Sequence, residues 1–171
     1  MKKYYLLFFF LIFDTNSFAE EKIFYLDVNF LLSESEAGKY INNELKIINN
    51  KNIEEFKKIE NSIKTEEEKL LKQKNILKEV EFNNKVNKLR EKNKSYQELK
   101  NTKNNDLKIV GDKAGNQILK IINEILSEYS TKNKISLIME KKNIVIGKTE
   151  LDITKNILAL LNTKIKKVEL K

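Results

Sequence analysis

From Ala37 to Tyr129 the chain carries a narrow apolar stripe at helical spacing, and no proline interrupts it. Ala37, Ile41, Leu45 and Ile48 step by four, four and three. Phe56, Ile59, Ile63, Leu70, Leu77 and Val80 keep a heptad spacing, with Glu66 and Gln73 filling two stripe positions. The stripe is disturbed at Phe82-Asn83-Asn84 and restarts at Val86 and Leu89. It strengthens from Leu107 through Val110, Ala114, Ile118, Ile121, Ile125 and Tyr129. Such a stripe is the seam of a coiled coil, narrower than the face of a globular helix. One helix of this length has nothing to bury its seam against, so the pattern predicts an antiparallel hairpin. The disturbance near the midpoint places its tip at Asn83-Asn84. Two arms of about 45 residues then reach roughly 70 Å. The stripe thins toward that tip, which predicts a weakly held, flexing pair.

The flanks read differently. Ile23-Phe24-Tyr25-Leu26 is a short β-prone run, and Val28 to Leu32 suggests a helical turn. Ser35 before Glu36 is a candidate N-cap for the first long helix. Ser130, Thr131 and Asn133 end the second. Beyond them, Ile135–Met139 and Ile144–Ile146, separated by Lys141-Lys142-Asn143, read as a β-hairpin. Asp152 is a candidate cap for a last helix with Ile153, Ile157, Leu160 and Leu161 on its apolar face, and the basic tail from Lys164 reads as frayed. The expected fold is mainly α with a small β body (α+β). Residues 20–35 and 132–171 form the body, and 36–131 form the arm. Three short strands are marginal alone, so the body is expected to complete itself by oligomerising.

The first residues predict export. Lys2 and Lys3 precede an apolar run from Tyr4 to Phe13, and Ser17-Phe18-Ala19 offers small residues before Glu20. That is the order of a secretory signal peptide, residues 1–19, cut after Ala19. A membrane anchor needs about 20 apolar residues, and Asp14, Thr15 and Asn16 stop this run early.

Composition narrows the function classes. The chain has no His and no Cys, which removes the commonest general base, thiolate metal sites and Ser-His or Cys-His nucleophile pairs. Its four glycines are scattered, so no phosphate loop exists. The chain is expected not to be an enzyme and to need no cofactor or metal. Residues 56–105 hold 14 Lys/Arg against 8 Asp/Glu, a net of +6. Acidic polypeptide, anionic lipid and lipopolysaccharide are the partners such charge favours. Nucleic acid fits the charge and conflicts with export.

Two segments carry a resemblance. Lys22-Ile-Phe-Tyr-Leu-Asp27-Val, Leu31-Leu32 and Glu34-Ser-Glu-Ala-Gly38-Lys39 resemble the mature start of the OmpH/Skp family of periplasmic chaperones. Leu137-Ile-Met-Glu-Lys141, Asn143-Ile-Val-Ile146, Leu151-Asp-Ile-Thr154 and Leu158 to Asn162 look like its closing segment. Two positions where the family often has proline, Glu36 and the base of the second arm, lack it here. The resemblance implies a homotrimer whose bodies share a β core and whose arms enclose a cavity. It further implies that unfolded outer-membrane proteins are held there without ATP. Phe56, Ile63 and Tyr96, with Lys72, Lys85, Lys88 and Arg90, are the candidate client contacts on the distal arm. Phe56 and Ile63 also suit the plainer role of sealing one arm helix to the other. Ile23, Tyr25, Leu137, Met139, Val145 and Ile157 are the candidate trimer-body residues. A structural envelope spacer remains the alternative, as does a binder of anionic lipid or lipopolysaccharide.

Overall fold

The structure, a computed structural model, describes residues 21–170. The expected signal peptide lies outside the described residues. Strand β1 (Ile23–Leu26) leads to helix α1 (Val28–Glu34) and then to the two long helices α2 (Glu36–Lys72) and α3 (Glu79–Asn133). Strand β2 (Leu137–Glu140), two single 3-10 turns and helix α4 (Thr154–Lys164) follow. The α+β class with a long hairpin stands as the sequence predicts.

Side chains with short polar arms set the helix starts. Asp27 Oδ1 accepts the Phe30 amide at 2.9 Å and caps α1. Ser35 Oγ accepts the Gly38 amide at 3.0 Å and caps α2, with Glu36 in its first turn. Ser35 also ends α1, so one extended residue turns the chain between two helices. α3 ends where its last residues predict, and Lys134 closes it in the left-handed conformation at φ 54°.

The tip is not at Asn83-Asn84. Both asparagines lie inside α3, and the chain turns at Gln73–Lys78. The equal-arm expectation fails because the helices are unequal, at 37 and 55 residues. Phe56 lies against Tyr96, Ser62 against Lys92 and Leu45 near Gly111. In that register α3 continues past the start of α2 and enters the body, where Ile118, Ile122 and Ile125 are buried. Of the stripe residues nearest the turn, Val80 is exposed and closes no seam.

The body also departs from expectation. β2 does not turn back into a second strand. It pairs in parallel with β1, Ile23 opposite Leu137 and Tyr25 opposite Met139, with the whole hairpin as the crossover. Residues 144–146 form no strand. The third position is taken by a single bridge between Tyr25 and Asp152, beside the Ile153 amide on the Tyr25 carbonyl at 2.9 Å. One core joins all the body elements. Leu26, Leu31, Ile41, Ile118, Ile157 and Leu161 are among its buried members. The tail is not frayed: Val168 is buried in this core, with Ile165 and Leu170 packed against it. A second, smaller cluster of Phe56, Ile63 and Tyr96 sits in the arm.

Candidate client-binding arm and assembly surface

The arm is held by a thin seam with ionic edges. The Phe56 and Tyr96 rings meet edge to face, 6.1 Å between centroids. The Tyr96 hydroxyl donates to Glu60, and that bond, aided by burial, pushes the phenol up to about 12. Lys100 lies 3.9 Å from Glu60 and within 6 Å of both ring centroids. Glu55 pairs with Lys103 at 3.4 Å, and Glu66 pairs with Lys92. The Lys92 hydrogen bond holds the Glu66 carboxyl below its ordinary range. These pairs are well exposed, and each contributes little to stability. They fix which helix face meets which more than they hold the arm shut.

The expected client contacts therefore divide. Phe56, Ile63 and Tyr96 are buried between α2 and α3, where they seal one arm helix to the other. Their heptad positions carried that signal, since a seam residue in a hairpin faces its partner helix. Lys72, Lys88 and Arg90 are exposed, and Lys85 is half-buried, donating to Gln73 Oε1 at 3.1 Å. Near the turn, Lys69, Lys85, Lys88 and Lys92 line a groove of about 440 Å³ floored by Leu70 and Leu89, with Glu66 as its one carboxylate. Sequence reasoning missed the tip itself. Leu71, Ile76 and Val80 are 63%, 79% and 73% exposed there.

The body presents a second apolar surface. Ile23, Leu137 and Met139 are exposed on the outer sheet face. Tyr25 shares that face but is covered, with its ring against Gly147 and its hydroxyl donating to the Lys148 carbonyl at 3.1 Å. Beyond it, Val145 and Ile146 are 97% and 91% exposed. β2 pairs with β1 alone among the described strands. Ile157 is fully buried in the core of the body, within its own chain.

One polar junction ties this surface to the core. Asp152 Oδ1 accepts the Thr154 amide at 2.9 Å and the Thr154 hydroxyl as well. Lys141 reaches Asp152 Oδ2 at 3.1 Å, and Thr154 Oγ1 accepts the Asp27 amide at 2.9 Å. Asp152 thus turns the chain into α4 from the residue before Ile153, which holds the N-cap position without a side-chain bond. Partial burial raises its pKa, but the Thr154 and Lys141 bonds outweigh that and hold the carboxyl below its ordinary range. A depressed carboxyl contributes stability above its unfolded pKa, and that contribution is lost as pH falls through the folded one. Asp152→Asn is therefore expected to lower the thermal midpoint at neutral pH. The gap to wild type should close as pH drops below the ordinary aspartate range. A gap independent of pH would show that the charge is not what matters.

Among the described residues, no group of three or more Asp or Glu is placed to hold a metal ion, and no helix is long and apolar enough to cross a membrane. Fold and surfaces together define a long helical hairpin on a small α+β body, with exposed apolar residues at its two ends. The family model described as outer membrane protein (OmpH-like) matches residues 22–161, and the chain belongs to the OmpH family. Its fold is similar to the crystal structure of a candidate outer membrane chaperone (OmpH-like) from Caulobacter crescentus CB15. The two share a TM-score of 0.79 at 17% identity, over 88% of this chain and 89% of that one. No curated protein matches the sequence.

Proposed function

We propose that the protein is an ATP-independent periplasmic holdase that assembles as a homotrimer and keeps unfolded outer-membrane proteins soluble between its arms. It does so by binding alone, without catalysis. The observation that carries the reading is the arm. α2 extends about 55 Å at the usual helical rise. Beyond the body core, Phe56, Ile63 and Tyr96 form its one buried apolar cluster among the described residues, with Leu70 buried alone nearer the turn. The fold does not need that length, whereas gripping another chain does. Family membership supports the same reading. The exposed Ile23, Leu137 and Met139 beside a strand paired on one side support assembly through the body. Basic arms draw acidic clients over long range.

The test uses the exported protein with an unfolded β-barrel client. Light scattering after dilution from urea should stay low at stoichiometric chaperone, without nucleotide, and protection should weaken as ionic strength rises. Aggregation unchanged at excess protein would leave the structural spacer as the better account. Sedimentation should show a trimer at micromolar concentration, with Leu137→Glu shifting it to monomer.

The tip favours a second reading, contact with an anionic lipid surface. Leu71, Ile76 and Val80 are exposed, and Lys69, Lys72, Lys74 and Lys78 stand among them with no acidic residue from 69 to 78. Apolar side chains ringed by lysines suit an anionic membrane interface. Co-sedimentation with vesicles rich in anionic lipid, lost in Ile76→Ser with Lys74→Gln, is the expected result. Equal binding to neutral vesicles would remove this reading.

A further inference from the structure

We propose that residues 165–170 are a clamp that seats α2 on α3 at the root of the arm, so that the tail sets how far the hairpin splays at its base. The family match ends at residue 161, and these residues lie beyond it.

The contacts reach both arm helices. Lys166 pairs with Glu36 in the first turn of α2 at 3.4 Å. Lys167 lies over the Tyr40 ring, 5.6 Å from its centroid, one turn further along. On the other helix, Gln117 Nε2 donates to the Glu169 carbonyl at 3.4 Å. Between these, Val168 is buried in the core shared by Ile41, Ala114 and Ile118. The Asn162 side chain, one turn before the tail, accepts the Glu36 amide at 2.9 Å.

α3 is one continuous helix from the body into the arm, so its packing in the core fixes its direction. α2 has no such extension. It begins at the core, where Ala37 and Ile41 pack beside Ala114 and Ile118 of α3, with α1 on one side and the tail and Asn162 on the other. Further out, the seam is thin, held by ion pairs, the Phe56 cluster and the isolated buried Leu70. Removing the tail takes away the contact that spans both helices and leaves the α1 junction in place.

The chain has no cysteine, so spin labels attach only where they are introduced. Asn43→Cys with Asn116→Cys spans the two helices near the root, and Lys64→Cys with Glu91→Cys spans them near the tip; all four positions are exposed. Labelled chains are diluted into unlabelled protein, and distance distributions are read by pulsed electron resonance. Truncation after Lys164 is expected to widen the root distribution at least twofold and leave the distal one unchanged. Amide exchange at Glu36–Ile41 should rise at least tenfold while β1 and α4 keep their protection. Val168→Ala with Lys167→Gln should give the same pattern at smaller amplitude, and it decides the question if the truncated chain does not fold. A root distribution of wild-type width in a folded variant overturns the clamp. So does equal widening at root and tip, which would mark general loosening. Neither readout requires a client.

Discussion

Gly38→Ala is expected to cost more than about 4 kcal/mol, among the largest single effects a point substitution has. Helix propensity alone predicts the opposite sign, since alanine is favoured over glycine by about 1 kcal/mol inside a helix. The local geometry decides. A Cβ at position 38 would sit 1.8 Å from the Leu32 carbonyl oxygen and 3.1 Å from Ser35 Oγ. The first of these is backbone, so no rotamer change relieves it. α1 must lift off α2, which uncovers the fully buried Leu31 and disturbs the Ser35 cap. The thermal midpoint should fall by roughly 10 °C or more. Gly115→Ala is the control. Nothing lies within 4 Å of a Cβ there, so that variant should match wild type or exceed it by up to about 1 kcal/mol. Equal stability of the two variants would show that α1 does not need its close approach to α2.

Phe56→Ala should cost about 3–5 kcal/mol, the range for truncating a buried aromatic residue. The loss is expected to be local. Phe56 belongs to the arm cluster, not to the core of the body. Without it Tyr96 loses its ring partner and Lys100 loses one of its two aromatic neighbours. Amide protection should collapse around Phe56 and Tyr96 while α4 and β1 keep theirs. Client capture should fall because the arm melts. Lost capture with arm protection intact would instead return Phe56 to the role of a direct client contact. Phe56→Leu keeps most of the buried volume and should restore much of both readouts.

The reach of the sequence differed from element to element for physical reasons. Ser35 was legible as a cap because a short oxygen-bearing side chain before an acidic first turn has few other uses. The end of α3 was legible in the same way. The tip was not. Gln73–Lys78 turns without glycine or proline, and no residue there has positive φ. The visible disturbance at Phe82-Asn83-Asn84 belongs instead to the early turns of α3. Ile144–Ile146 has the composition of a strand, but the 3-10 turn at Lys141–Asn143 leads it away from β2, whose second edge stays unpaired among the described strands. Strand propensity describes what a segment can pair with, not whether the chain brings it to an open edge. The tail was misread because its lysines mask Val168, and alternation of charge hides a single buried side chain. For the arm, heptad position predicted burial of Phe56 and Ile63 better than aromatic character predicted contact with a client. The exposed apolar tip followed only once the turn was in its right place.

The parallel pairing of β1 with β2 also orders events in time. Most of the described chain, the whole hairpin included, separates Ile23 from Leu137. The hairpin, by contrast, closes through neighbours on either side of one tight turn. Local contacts form early and distant ones late. The arm therefore folds while β1 is still waiting for its partner, and the sheet and its core close only when the last segments arrive. The proposed assembly through Ile23, Leu137 and Met139 would thereby be deferred to chains that have closed the sheet, because a chain stopped before residue 137 lacks two of those three residues.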